Sequence, residues 1–481
     1  MTADALTLLP EIVLALGAVL GLLVGSFLPP GREAPVRGIG ITAAVAAVVV
    51  ALVVHRGPTA FGGTFTVDVA TVTVRVLVAG AVAVTLVLAG DPDVRKVPLQ
   101  TQDLIQHADR VRKPSSITGR VDTAFAVLVQ LSGVGAMMLG GASDLLLLAA
   151  AVLLAGLPLA ALAGLRRDGR ATEAALKYFL SSALFGLVLL TGVTALLGLT
   201  GATAYGALGR LATPGPTAVA AAVALLLVLV GLLMTIGGVP AHFWVPDAVD
   251  GTTPVTGAVL TTTAKLGGLV AIWRLLVAVP SGAVPWPLLI AVLAVASMTL
   301  GNLAAFAQTS LRRLLAYSTV SQVGYLLVPV AVAARTPLAL PALLGYLAAY
   351  AVTNLAVFAV LAARPRALEV ADQRGLAGRH PVLAVALAVG LLGLVGTPPT
   401  VVFAGKFAGF TAAVDGGMTW LAVVAVLNSI ASLFYYLRWI APVFSAGDPV
   451  LRDPVAPRAR AVGVVLAVVS VAGGILVAFV G

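Results

Sequence analysis

Long apolar runs, interrupted by charges, glycines and prolines, recur along the whole chain. A hydrocarbon core takes about 20 apolar residues per helix. Fourteen runs meet that length, at roughly 6–28, 36–55, 69–90, 122–140, 143–165, 172–199, 217–245, 254–278, 285–307, 313–334, 340–363, 381–411, 418–443 and 460–480. The pattern predicts an all-α polytopic membrane protein of about 14 transmembrane helices. The longest hydrophilic segment, 91–121, mixes acids and bases and is expected to be a loop.

Two of the predicted helices are interrupted. Helix 7 contains GGVP, with Gly237, Gly238 and Pro240; helix 12 contains GTPP, with Gly396, Pro398 and Pro399. Proline removes a backbone donor and clashes with the preceding turn, and glycine loosens the helix further. A packing kink is one reading, since both residues are common in membrane helices. The other is functional. The breaks lie five helices apart, an odd number, so two copies of one unit would run in opposite directions. Paired broken helices in inverted repeats mark transport sites near the midplane. The expected organisation is helices 1–3 with their loop at 1–121, a first five-helix repeat (helices 4–8) at 122–280, a second, inverted repeat (helices 9–13) at 281–445, and a loop with helix 14 at 446–481.

Composition narrows the function classes. The chain of 481 residues is 60% hydrophobic and only 10% charged, against about a quarter charged in soluble domains. Cysteine is absent, which excludes disulfides, thiolate-held clusters and cysteine nucleophiles. The four histidines, at 55, 107, 242 and 380, lack metal-site spacing, so no metal site is expected. No phosphate-binding glycine loop is present. The first run follows Asp4, contains Glu11 and is long enough to span, so it is expected to stay as a helix rather than act as a cleaved signal. The net charge of +10 has a topological origin: one set of alternate loops holds twenty Lys and Arg, and the other holds Arg56, Arg210 and Arg335. The positive-inside rule puts the basic loops in the cytoplasm and both termini outside. Nucleic-acid binding is not required to explain the charge.

Six basic residues remain inside the spans: Arg75, Lys177, Lys265, Arg274, Lys406 and Arg438. An ammonium near the bilayer centre costs roughly 2.5–3.5 kcal/mol by insertion scales. A desolvated lysine can exchange its proton near neutral pH, whereas arginine stays charged. Lys265, in TTTAKLGGLV, has no nearby acid in sequence, so a proton-relay role is favoured. Lys406 follows the second break in VFAGKFAGF; relay and snorkelling are both open. Lys177 has Glu173 four residues earlier, so a helical ion pair competes with a relay. His242 follows the first break in VPAHFWVPD and is either a relay or a hydrogen-bonded structural residue. Asp247 and Asp250 are expected to cap the next helix. The three arginines are expected to snorkel or orient. Tyr317, Ser318, Ser321 and Gln322 on helix 10 either carry water or pack helices.

Several stretches together resemble the antiporter-like membrane subunits of respiratory complex I, subunit N most closely. They are EAALKYFLSSALF (173–185), VPAHFWVPDAVDGTTPVTGAVLTTTAKLG (239–267), GNLAAFAQTSLRRLLAYSTVSQVGYLL (301–327), YAVTNLAVFAVLA (350–362), LAGRHPVLAVALAVGLLGLVGTPPTVVFAGKF (376–407) and LFYYLRW (433–439). The resemblance implies fourteen helices with inverted repeats 4–8 and 9–13. It implies a subunit of an NADH:quinone oxidoreductase of the bacterial cell membrane that moves protons while other subunits pass electrons from NADH to quinone. No cofactor would be bound by this chain, and its partners would be the other membrane-arm subunits. Lys177, Lys265 and Lys406 match the family's lysines on helices 6, 8 and 12. Two positions depart: Leu153 stands where the family has a glutamate on helix 5, and Thr235 where it has a lysine on helix 7. Losing both avoids leaving one buried charge unpaired. Two further readings stay open. One is a subunit of a related cation/proton antiporter or membrane hydrogenase; the other is a structural subunit that does not conduct.

Overall fold

A computed structural model of the chain describes residues 2–29, 32–54, 59–91, 121–212, 217–282, 284–446 and 455–480. Most of the 91–121 loop, with His107, and also His55 and Arg56 lie outside the described residues. The spans are α1 (Leu9–Phe27), α2 (Ala34–Val53), α3 (Val69–Leu88), α4 (Val121–Gly141), α5 (Leu145–Ala163), α6 (Gly169–Thr200), α7a (Thr217–Ile236), α7b (Trp244–Asp250), α8 (Pro254–Ala278), α9 (Trp286–Phe306), α10 (Leu311–Ala331), α11 (Ala339–Ala363), α12a (Pro381–Val395), α12b (Val401–Asp415), α13 (Thr419–Phe444) and α14 (Pro457–Val480). Among the described residues thirteen helices are long and apolar enough to cross a membrane unbroken, and the two 15-residue halves of α12 together supply the remaining crossing. The fold is therefore the expected all-α polytopic one. Helix 7 differs in detail. The run expected to continue to 245 stops at Ile236, and the chain resumes as the short α7b. The only sheet among the described residues is a two-stranded hairpin, Thr59–Ala60 against Phe65–Thr66.

Polarity sorts the helices between interior and lipid. The least hydropathic spans, α8 and α10 at 1.4, are almost wholly buried, whereas α14 at 2.7 is mostly exposed. In a bilayer the polar residues turn inward, because lipid satisfies no hydrogen bond. α8, α10 and α11 form the centre. α8 packs on α4 and α11, and α10 lies along α9. That last contact is very close. A Cβ on Gly301 would meet the Ser321 backbone at 2.5 Å, and one on Gly324 would meet the Ala294 carbonyl oxygen at 2.6 Å. Small residues on both helices let the backbones touch, the usual device where lipid gives no hydrophobic drive between helices.

Candidate functional site

The break in α12 is built from its prolines. Pro398 and Pro399 stand four residues after Leu394 and Val395, where the helix would need their N–H groups as donors. Gly396, at φ +88°, turns the chain left-handed, and the N–H groups of Gly396 and Thr397 fold back on Leu392 at 3.1 Å each. The two stranded carbonyls are then met by side chains from three helices. Lys406 Nζ, on α12b, donates to Val395 O at 2.8 Å and to Leu394 O at 3.4 Å. Gln322 Nε2, on α10, donates to Leu394 O at 2.7 Å. Ser429 Oγ, on α13, donates to Val395 O at 2.8 Å and lies 3.1 Å from Lys406 Nζ. The Tyr325 ring faces the ammonium, with its centroid 3.8 Å away. Lys406 is buried and does not snorkel to a helix end.

The break in α7 follows the same plan with different partners. Gly237, at φ +71°, and Gly238 close α7a with N–H bonds back to Met234 O (3.1 Å) and Leu233 O (2.8 Å). Trp244 Nε1 reaches back across the break to Met234 O at 3.0 Å, and the Val239 N–H donates to Ser297 Oγ at 3.1 Å. Both breaks include a cis proline, at Val239–Pro240 and Pro398–Pro399. Lys265, on α8, points at this turn. It is fully buried, and a Cβ on Gly237 would lie 3.3 Å from its Nζ. Its ammonium donates to no protein group among the described residues.

Buried polar side chains fill the space between the two lysines. Asn354 Nδ2, on α11, donates to the hydroxyls of Thr261 (2.9 Å) and Thr262 (3.0 Å), one turn before Lys265. Tyr350 Oη donates to Thr261 O at 2.7 Å and approaches Thr319 Oγ1 on α10 at 3.4 Å. Tyr346 donates to Gln322, whose amide reaches the α12 break. α10 thus stands between the breaks, with Val323 against Gly238 on one side and Gln322 against Leu394 on the other. Ser321 and Tyr435 both donate to Asn302 Oδ1, and Ser318 is bonded to Tyr436. Of the four helix 10 candidates, Ser318, Ser321 and Gln322 are buried in this network and Tyr317 is half-buried.

Lys177 is elsewhere. It is exposed, with its Nζ 2.6 Å from Glu173 and 2.7 Å from Asp247. Asp247 also holds Arg313 at 2.8 Å, so α6, α7b and α10 meet in one ion-pair chain. Asp250 accepts from Ser310 at 2.5 Å. Neither aspartate caps α8, contrary to expectation. That cap is Thr253, whose hydroxyl accepts from the Thr256 N–H at 3.2 Å. Pro254 fills the first helical position, which leaves Thr253 as the cap residue. His242 is buried in the α7 break beside Phe243, and its Nδ1 has no hydrogen bond among the described residues.

The arginines divide between buried and exposed positions. Arg75 is not snorkelling. It is buried in a bidentate pair with Glu11 (2.7 and 2.9 Å) and donates to Thr7 O. Arg274 is buried too, bonded to Gly140 O, Asp68 and Thr71. Arg438 is exposed and closes the carbonyls of Phe306 and Gln308. Leu153 is 41% exposed, while Thr235 is buried with its hydroxyl turned to Gly231 O at 3.3 Å. Asn354, Tyr346, Tyr350 and Ser429 were not singled out from the sequence. Their signal was a polar side chain inside an otherwise apolar run.

The profile of the NADH:quinone oxidoreductase/Mrp antiporter transmembrane family matches residues 142–432, which contain both breaks and all three lysines. The chain is 49% identical to the NADH-quinone oxidoreductase subunit N 1 of Streptomyces griseus, over 99% of this chain and 96% of that one. It is 47% identical to the subunit N of a Mycobacterium species, over 90% of this chain and 88% of the relative. Among solved structures it resembles a chain of respiratory complex I from Thermus thermophilus with bound aureothin, at 31% identity and TM-score 0.80, covering 98% of each chain. With the profile covering more than half of the sequence and the relatives nearly all of it, the chain belongs to the NADH:quinone oxidoreductase/Mrp antiporter membrane-subunit family, in its subunit N group.

Proposed function

We propose that this chain is the subunit N of a proton-pumping NADH:quinone oxidoreductase, and that Lys265 and Lys406 carry protons along a path between the two helix breaks. The observation that carries the reading is the placing of one buried lysine against each break, with a polar row between them. The 406 site suits a resting ammonium, since two carbonyls and a hydroxyl accept from it and an aromatic face covers it. At 265 no acceptor among the described residues competes for the proton, which suits a group that passes it on. His242, in the first break, is the candidate for exchange with one membrane face. Lys177, paired twice and exposed, serves the path by fixing α7b rather than by carrying protons itself. NADH and quinone belong to the assembled complex, and this chain binds neither. The basic loops face the cytoplasm and both termini face outward. The relatives at 47 and 49% identity favour this assembly over an antiporter or a hydrogenase.

A scaffold that does not conduct is the second reading, favoured by Leu153 and Thr235. One experiment separates the two. Vesicles carrying the assembled complex are energised with NADH and quinone, and proton uptake is compared with Lys265→Ala. Most of the uptake should be lost while NADH oxidation and assembly persist. Unchanged uptake favours the scaffold. Absent NADH-driven activity in the unaltered complex removes the assembly itself.

A further inference from the structure

An apolar groove of about 570 Å³ runs along the outside of the molecule between α12a and α14. Its walls include Val382, Val385 and Val389 on one side and Val464, Val468 and Ile475 on the other. At 1.5 Å per helical residue, the lining from Pro381 to Val389 spans about 12 Å and that from Val464 to Ile475 about 16 Å. One leaflet of hydrocarbon is about 15 Å deep, half of a core of roughly 30 Å. The groove is therefore as long as one leaflet is thick.

Cations gather at one end of it. α12a begins at Pro381, directly after Arg379 and His380, and α14 carries Arg460 in its first turn. The two helices run the same way, since Ser470 neighbours Gly393 and Gly474 meets Pro399, so their N-termini share one end. Arg364, at the end of α11, joins them; it is held by Gln373 and the Asp372 carbonyl. Burial and the nearby guanidinium groups of Arg364, Arg460 and Arg379 hold His380 below the usual histidine range. Arg379 and Arg460 are exposed and have no ion pair among the described residues. The N-terminus of α12a adds positive potential at the same end, whereas that of α14 is met by the Asp91 carboxylate, which accepts from the Arg458 N–H at 3.1 Å.

An apolar slot one leaflet long whose mouth carries two exposed guanidinium groups, Arg379 and Arg460, matches a molecule with an apolar tail and an anionic head. We infer that the α12a–α14 groove is a binding site for an anionic phospholipid. One acyl chain lies between the valines, and the phosphate is held by Arg379 and Arg460. A zwitterionic lipid offers the same chain but a head with no net charge. The inference does not depend on which complex the chain serves.

The test uses the purified full assembly and two photoactivatable probes with the same diazirine acyl chain, one a phosphatidylglycerol and one a phosphatidylcholine. Crosslinked peptides are located by mass spectrometry. Phosphatidylglycerol should label the segments 381–389 and 464–475 several-fold more strongly than phosphatidylcholine. The double variant Arg379→Gln/Arg460→Gln should remove that preference. Val468→Trp, at an exposed position and so compatible with folding, should lower labelling by both probes. Equal labelling by the two probes, or a preference that survives the double variant, overturns the proposal. So does the absence of label from both segments, which would mean that a neighbouring subunit covers the groove.

Discussion

Gly396 holds two constraints at once. Its φ of +88° lies where only glycine rests without strain, and a Cβ there would sit 2.9 Å from Lys406 Cδ. Alanine at this position costs roughly 1–2 kcal/mol in backbone strain. It also pushes the lysine off the carbonyls of Leu394 and Val395. Gly396→Ala should therefore lower proton uptake several-fold in a complex that still assembles, and Gly38→Ala, which faces open space, should leave uptake alone. Uptake measured beside a native gel decides the matter; full uptake in Gly396→Ala would mean that the lysine needs no fixed position. At this scale the sequence exposed the residues that cost energy in a bilayer, such as Lys265 and Lys406. It did not expose what they touch. Two of the acceptors at 406 are backbone carbonyls, and those become acceptors only because two prolines withdraw the donors. Asp247 and Asp250 were misread for a related reason. Locally they sit where caps sit, and their partners Lys177, Arg313 and Ser310 are sixty or more residues away.

Among the elements, burial decides which charges matter. The Glu173–Lys177–Asp247–Arg313 chain joins α6, α7b and α10, yet its members are a quarter or more exposed. Each such pair is worth about 0–1 kcal/mol. The Glu11–Arg75 pair between α1 and α3 is different, with both side chains at most 3% exposed. Removing one partner of a buried pair costs about 3–5 kcal/mol, because the other charge is stranded, whereas replacing both with apolar groups of similar volume is often neutral. Glu11→Leu should lower the thermal midpoint of the detergent-solubilised complex markedly, and Glu11→Leu/Arg75→Met should recover most of the loss. If the double variant is as unstable as the single one, the pair is doing something besides cancelling charge. Sequence placed both residues inside spans but did not pair them, since α1 and α3 meet only through tertiary packing. The helices themselves were legible from length and hydropathy. The end of helix 7 was not, because the apolar run continues through the break that ends α7a.

In the whole molecule, three nearly buried helices, α8, α10 and α11, separate the two breaks, and the polar side chains they carry line the space between one lysine site and the other. Asn354 is where that lining crosses from α8 to α11. Among the described residues it alone links the Thr261 and Thr262 hydroxyls on α8 to α11, whereas Tyr350 reaches only a carbonyl of α8. Leucine at 354 keeps the branched shape of the side chain, with somewhat more volume, and removes the link. Two hydrogen bonds go with it: Thr261 still donates to Gly257 O at 2.8 Å, whereas the buried Thr262 hydroxyl loses the bond that it accepts from Asn354. At about 0.5–1.5 kcal/mol for each bond, the loss is about 1–3 kcal/mol. If protons or charge displacements pass from the first lysine to the second through this row, Asn354→Leu should cut uptake by several-fold in a complex that still assembles, with only a modest fall in its thermal midpoint. Lys265→Ala added to it should then cost little more, since both act on one path. Additive losses would instead mean that the halves work independently, each break with its own lysine.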